Sequence, residues 1–415
     1  MTNMIYTAMP AWPKKHHTNA VVLPSEWNTC PLSSIVEEIS ETVGTRKIET
    51  ISISAGIGFV NQAEKFGREL SGKQYEKYIV LHKGDFSYNK GNSNIYPQGC
   101  IYRLNNRTEA AVPNVFESFR VSVGNPDYYE QLFLSGFLNR QLYSKINRGV
   151  RDNGLLNLKG KDFYSCEVPY PPLAEQERIA EILIQCDRVI ELKEQKLDEL
   201  KQLKKEFLRK MFPAKGCDTP EIRFPGFTGA WKQRKLGEIA TFINGRAYSQ
   251  PELLSSGKYK VLRVGNFYTN DSWYYSDLEL GEKYYADYGD LLYTWSATFG
   301  PHIWLGDRVI YHYHIWKINL SDQLEKQFAV QLLEQDRTNI LSSKNGSTMV
   351  HITKEGMEQK DVIIPPSTKE QQEIGAFFLQ LDNLITLHQR ELEETKTYKK
   401  TLAKLLLTGI VRVQG

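Results

Sequence analysis

The sequence predicts an α+β fold: two mixed α/β domains in pseudo-two-fold duplication, separated by two long antiparallel coiled-coil helices. Three observations predict it. The chain of 415 residues, 41% of them hydrophobic, exceeds the roughly 250 to 300 residues at which single cores stop growing. It resembles itself at a period of about 200 residues, too long for a solenoid repeat and suited to a duplicated domain. Each repeat also passes from strand-like segments into a long helical pattern with an apolar seam.

The repeat is carried by paired anchors. Trp27, Leu32 and Ile35 open the first half, and Trp231, Leu236 and Ile239 open the second at the same spacings. In the middle, KGDFSY (83–88) pairs with YGDLLY (288–293). Near the ends LKGKDFYSCEVPYPP (158–172) answers ITKEGMEQKDVIIPP (352–366), and each leads into a segment containing Glu-Gln, AEQERI (174–179) and KEQQEI (369–374). Between the anchors the halves differ, as expected of one scaffold presenting two different surfaces. The anchors divide the chain into a first domain (1–172), a first long helix (173–211), a linker (212–230), a second domain (231–366), and a second long helix with a C-terminal tail (367–415).

Within each domain, KIETISIS, KYKVLRVGNF, DLLYTW and DRVIYHYHIWKINL read as strands, and residues 128–146 and 324–341 as shorter helices. The Pro pair before each long helix suits a helix start. In the first helix Cys186, Ile190, Lys193, Leu197, Leu200, Leu203, Phe207 and Met211 recur at steps of three or four. In the second, Leu381, Ile385, His388, Leu392, Thr395, Tyr398, Leu402 and Leu406 keep the same rhythm. Lys193 and His388 occupy equivalent positions, and a polar residue in a seam can fix register and partner choice. Each helix is on the order of 55 Å long, the length of roughly sixteen base-pair rises. The connector between the halves, with FPAKG, DTP and FPGFTG, reads as an ordered non-helical join.

Composition narrows the function. A net charge of +3 leaves phosphate contact to local clusters of Lys and Arg. Five dispersed cysteines without a C-x-x-C pair argue against a zinc ribbon or a disulfide scaffold and fit a reducing cytoplasm. The N-terminus lacks an apolar core of signal-peptide length, and no apolar run is long enough to cross a bilayer, so a soluble protein is expected. GRELSGKQ (67–74) has phosphate-loop spacing, but Gln74 stands where Ser or Thr would hold magnesium. NPDY (125–128) reads as a helix-start turn rather than a methyltransferase loop. His312 and His314 would share one strand face, but no neighbouring Cys or carboxylate completes a metal site, and a structural pair is favoured. Glu394 and Lys396 form an E-x-K on the second long helix without an upstream strand-borne Asp, so nuclease chemistry has no support.

What remains is the interleaving of basic, amide and aromatic side chains in the unmatched segments, the mixture that meets phosphates and base edges. The first half supplies Tyr88, Lys90, Asn92, Asn94, Tyr96, Arg148, Arg151 and Asn153 as candidate DNA-binding residues. The second supplies Arg246, Tyr248, Trp295, Thr298, Lys344, Asn345, Ser347 and Thr348. Gly, Asn and Ser also mark ordinary turns, and that reading stands beside the first for each residue taken alone.

The opening FPGFTGAWKQRKLGEIA (224–240), the exits VPYPPLAEQERIAEIL (168–183) and VIIPPSTKEQQEIGAFF (362–378), and the terminal LAKLLLTGIVRV (402–413) together resemble the specificity subunits of type I restriction-modification enzymes over almost the whole length. The resemblance implies two target-recognition domains, each reading one half of a bipartite, asymmetric site in double-stranded DNA, with the helices setting the spacer. It implies two modification (methyltransferase) subunits docked on the helices, for which Ile190, Lys193, Leu197, Leu200, Phe207, Ile385, His388, Leu392, Leu402 and Leu406 are the candidate coiled-coil and partner-binding residues. Restriction (motor-nuclease) subunits would complete an assembly that methylates adenine and restricts DNA. S-adenosylmethionine, ATP and Mg would sit on those partners, with no catalysis, cofactor, metal or membrane contact in this chain. A coiled-coil adaptor with two protein-binding domains is the alternative, separated from the first reading by salt-dependent binding of duplex DNA.

Overall fold

In the computed structural model the described residues are 6–8, 23–67, 72–91, 96–146, 156–268, 270–296, 298–342 and 352–413. In chain order the first half carries β1 (Tyr6–Ala8), β2 (Asn28–Pro31), β3 (Val36–Glu38), β4 (Ile51–Ser54), β5 (Gly58–Asn61), α1 (Gln62–Phe66), β6 (Ile79–His82), β7 (Phe86–Asn89), β8 (Cys100–Arg103), β9 (Glu109–Val112), β10 (Glu117–Val121), α2 (Pro126–Leu134), α3 (Asn139–Lys145), α4 (Gly160–Tyr164), β11 (Glu167–Tyr170) and the long α5 (Leu173–Met211). The second half carries β12 (Lys232–Lys235), α6 (Leu236–Ile239), β13 (Ala240–Asn244), β14 (Tyr259–Leu262), β15 (Tyr274–Ser276), β16 (Tyr285–Ala286), β17 (Leu291–Thr294), β18 (Gly300–Ile303), β19 (Val309–Tyr311), β20 (Ile315–Leu320), α7 (Lys326–Ser342), α8 (Lys354–Glu358), β21 (Asp361–Ile364), the long α9 (Thr368–Leu407) and β22 (Val411–Val413).

Two compact units result, Met1–Lys193 with Glu391–Gly415, and Glu194–Arg390. Each therefore owns one segment of α5 and one of α9. The C-terminal segment belongs to the first unit, where β22 pairs antiparallel with β1.

Both units are built on the same four-stranded antiparallel sheet, ordered β3-β10-β7-β8 in the first and β13-β20-β17-β18 in the second. Each also has a two-stranded ribbon that joins its opening strand to the strand before the long helix, β2 with β11 and β12 with β21. The first core packs Trp27, Leu32, Ile35, Phe86, Phe119, Phe163, Ile179 and Leu183 with Ala403, Leu406 and Leu407 from the end of α9. The second packs Trp231, Leu236, Ile239, Trp316, Phe328, Ile374 and Phe378 with Leu208 and Met211 from the end of α5 and Phe212 just beyond it. Burying each such side chain stabilises by about 1.5 to 3 kcal/mol, which explains why the Trp, Leu and Ile anchors are retained in both halves.

The Gly-Asp anchors are turns. Gly84 and Gly289 take φ of 97° and 87°, where glycine carries no Cβ penalty. The next residue closes the turn, as Asp85 Oδ2 accepts from His82 N–H and Asp290 Oδ2 from Asp287 N–H, both at 2.8 Å. The same carboxylates then hold Arg120 on β10 and Lys317 on β20. NPDY is the start of α2, with Asn125 Oδ1 accepting from Asp127 and Tyr128 N–H and Pro126 at the first helical position. α9 stops at Gly409, whose φ is +68° and where a side chain would collide with Pro24.

Candidate nucleic-acid interface

Two hairpins occupy corresponding places in the two units. β7 and β8 enclose residues 90–99, and β17 and β18 enclose residues 295–299. Among the described residues Tyr88, Lys90, Tyr96, Trp295 and Thr298 lie in or beside these loops. Asn92, Asn94, Arg148, Arg151, Asn153, Lys344, Asn345, Ser347 and Thr348 lie outside the described residues.

In the first unit the structure corrects two assignments. Tyr88 is fully buried; its ring stacks on Phe163 at 4.6 Å and its hydroxyl donates to Gln98 O at 2.7 Å. Burial pushes its phenol well above the usual range. It is a core residue, and the sequence carried the signal: Tyr88 falls inside the matched anchor KGDFSY, and its counterpart Tyr293 is buried too. Lys90 points its ammonium at Glu117 (2.5 Å), with both side chains mostly shielded from water, so it supports the loop base instead of offering a free cation. Leu156 donates its N–H to Lys90 O at 2.9 Å, which sets Leu156 at the foot of this hairpin. Tyr96 is half-buried against the Ile51 and Ile53 cluster.

In the second unit, Trp295 lies half-buried at the hairpin base, stacked on Trp316 at 5.8 Å and donating Nε1–H to Tyr313 O at 2.9 Å. Thr298 at the tip is exposed. Arg246 lies over the Tyr248 ring at 5.0 Å and pairs with Glu252 at 2.5 Å; that hydrogen bond is the first of the causes that hold Glu252 down at about 2. Arg246 Nη1 and the Tyr248 hydroxyl are buried without a hydrogen-bond partner among the described residues. The His312 and His314 rings are 4.9 Å apart between Tyr248, Tyr313 and Trp295. Burial lowers both imidazoles, His312 to about 4, so at neutral pH they offer uncharged aromatic and hydrogen-bonding surface. Among the described residues no group of three or more His, Cys, Asp or Glu is arranged to hold a metal ion.

The helix seam is more polar than the heptad reading. Leu197, Leu200, Leu392 and Leu406 are buried, and Ile190, Lys193, Phe207, Ile385, His388 and Leu402 half-buried, with Phe207 edge-on to Phe377 at 5.0 Å. Lys193 pairs with Glu391 at 2.9 Å. Leu203 and Tyr398, by contrast, are 46% and 63% exposed, which corrects their placement in the seam. The adjoining Lys204 and Lys399 point inward instead, because each finds a carboxylate on the opposing helix: Asp382 and Asp187, both at 2.5 Å. Helical steps of three and four both fit a seam, and the ion pair selects the fourth residue.

Those pairs belong to a set of contacts repeated in both units. Glu175 accepts from Trp27 Nε1–H at 2.9 Å and takes a two-pronged bond from Arg412 at 2.6 and 2.8 Å. Glu370 accepts from Trp231 at 3.2 Å and from Arg223 at 2.7 and 2.8 Å. Gln176 donates to Pro171 O and accepts from Asn125 N–H at the head of α2; Gln371 donates to Pro365 O and accepts from Glu325 N–H at the head of α7. Asp187 also accepts from Gln131 on α2 at 2.9 Å, and Asp382 from Gln331 on α7 at 3.3 Å. Sequence reasoning saw the Glu-Gln repeat but missed its partners. Arg412 follows its long helix closely, whereas Arg223 precedes Trp231, so no repeat spacing relates them.

With this geometry in hand, the profile of the type I restriction modification DNA specificity domain family matches residues 24–202 and 229–397. The chain is 26% identical over 294 residues to the type I restriction enzyme MjaVIII specificity subunit of Methanocaldococcus jannaschii, covering 66% of this chain and 68% of that protein. It is 25% identical over 301 residues to the putative MjaX specificity subunit of the same organism, covering 69% and 68%. Among solved structures, the type I restriction-modification system S subunit from M. genitalium aligns with a TM-score of 0.55 at 14% identity, over 95% of this chain and 98% of that one. A chain from a structure of type I R-M complex assembly and conformational transition aligns at 0.57 and 16%, over 93% and 98%. At these identities the structural likeness shows the fold alone.

Proposed function

The chain belongs to the type I restriction modification DNA specificity family, and from that premise we propose that it reads a bipartite, asymmetric target in double-stranded DNA, one half-site per recognition domain, and directs adenine methylation and restriction to it. The observation that carries this reading is the contrast between scaffold and loops. The Trp-Glu-Arg, Gln and Gly-Asp contacts recur in both units, while the hairpin loops they support share almost no side chains. A duplicated frame with unlike loops suits two different half-sites read through base edges. Arg246, Tyr248, Trp295 and Thr298 with Lys344, Asn345, Ser347 and Thr348 remain the proposed contacts in the second domain, and Tyr96 with Asn92, Asn94, Arg148, Arg151 and Asn153 in the first.

The long helices would set the spacer and dock two modification subunits, with restriction subunits added to the assembly and S-adenosylmethionine, ATP and Mg held by those partners. Supporting two copies of one partner, each unit exposes an equivalent apolar set: Val189, Leu192 and Tyr398 in the first, Leu384, Leu387 and Leu203 in the second. No helix among the described residues is long and apolar enough to cross a membrane, and we place the assembly in the cytoplasm.

The test is to co-express the chain with a cognate modification subunit and map methylated adenines across a host genome. A split motif that appears only with this chain supports the reading. Methylation indifferent to the chain, in an assembled complex, would leave a protein adaptor as the better account.

A further inference from the structure

We propose that Gln131, Asp187 and Lys399 in the first unit, and Gln331, Asp382 and Lys204 in the second, are positioning residues that fix where each recognition domain stands along its helix pair and so sharpen the spacer length the chain accepts. The inference rests on the bipartite DNA-reading function above. Each set joins three elements at one carboxylate. Asp187 on α5 takes one bond from Gln131 of α2 and one from Lys399 of α9; Asp382 on α9 takes one from Gln331 of α7 and one from Lys204 of α5.

An apolar seam by itself tolerates slippage, because a Leu or Ile displaced by one turn still meets apolar neighbours. A polar contact is satisfied in one register. The two glutamines are nearly excluded from water, at 6% and 1% exposure. Sliding α2 or α7 by one turn, about 5.4 Å, would strand a buried amide away from its carboxylate, a loss that water cannot repair. Displacing a half-site by one base pair moves it by about 3.4 Å along the duplex axis, comparable to that slip, and turns it about the axis as well. A domain held by this contact would meet a half-site displaced by one base pair out of register.

Duplication separates this contact from incidental helix pairing. One offset of 195 residues relates Asp187 to Asp382 (382 minus 187) and Lys204 to Lys399. The Lys193–Glu391 pair is not repeated: the same offset leads to His388 and Lys196, two bases. Of the Lys193–Glu391, Lys399–Asp187 and Lys204–Asp382 pairs, the two related by the repeat are those whose carboxylate also takes a bond from a helix of the recognition domain.

The experiment uses the full chain assembled with its modification subunits. Duplexes carry both half-sites at the preferred spacer or at one base pair more or less, and the readout is the ratio of initial methylation rates. Lys399→Met and Gln131→Leu should each lower the preference for the correct spacer by about five-fold, with the half-site sequences unchanged. The exchange Asp187→Lys with Lys399→Asp should restore it, because the Gln131 amide can turn its oxygen towards the ammonium introduced at 187. Gln131→Leu leaves the contacts between the long helices intact, so it remains informative if Lys399→Met fails to assemble. An unchanged ratio in assembled Gln131→Leu complexes, or an equal fall in Lys193→Met, would overturn the proposal. A wild-type complex that methylates no split target would sink the DNA-reading function itself, and the positioning role with it.

Discussion

Lys90 and Glu117 show how burial decides a residue's role. With both side chains mostly shielded, Lys90→Ala should leave a carboxylate without its cation and destabilise the first unit by about 2 kcal/mol, while the salt dependence of DNA binding stays unchanged. Urea unfolding and a salt titration measure the two effects, and a flattened salt slope would return Lys90 to the phosphate-contacting set. His302 makes a prediction about pH. It stacks on Phe267 at 4.1 Å, and burial, with Arg337 nearby, lowers it from 6.5 to about 4. A lowered histidine resists protonation in the folded state, so its full contribution to stability is present above pH 6.5 and is lost as pH falls from there towards 4. His302→Phe should therefore lose less thermal stability than wild type between pH 7 and 4.5; His312, also at about 4, leaves part of the acid sensitivity in place. Parallel pH profiles would show that His302 does not carry it.

The long helices are secured at their ends as well as along their seam. Glu175 and Glu370 lie in the first turn of α5 and α9, where the helix dipole favours a negative charge, and each is buried against a Trp and an Arg. Glu370→Ala would leave Arg223 without its carboxylate and Trp231 Nε1–H without an acceptor. We expect a loss of about 3 kcal/mol, read as a lower urea midpoint, with Arg223→Ala in the same background adding little because the two act as one pair. Additive losses would mean that the contacts are independent. The sequence made the existence of both helices legible through their apolar rhythm and the prolines before them. It misjudged the inward faces at Leu203 and Tyr398 because apolar character alone cannot show that a neighbouring lysine has a carboxylate opposite it.

At the scale of the whole chain, modular reading predicts that exchanging Arg246 to Thr348 for the corresponding block of a relative changes one half-site and leaves the other intact, as read by methylation mapping. A change in both half-sites would end the two-module account. The sequence by itself determined the duplication, the mixed α/β character of the halves, the long helices and the family resemblance, since these rest on repeated anchors and periodicity, which are local properties of the chain. The tertiary structure decided which polar residues serve the frame. Tyr88 and Lys90 looked like loop contacts until burial and Glu117 claimed them, and Arg412 joined Glu175 from the far end of the chain. Such pairings depend on which distant elements meet, and on the cost of leaving a polar group buried without a partner. Neither is written in the spacing of residues along the sequence.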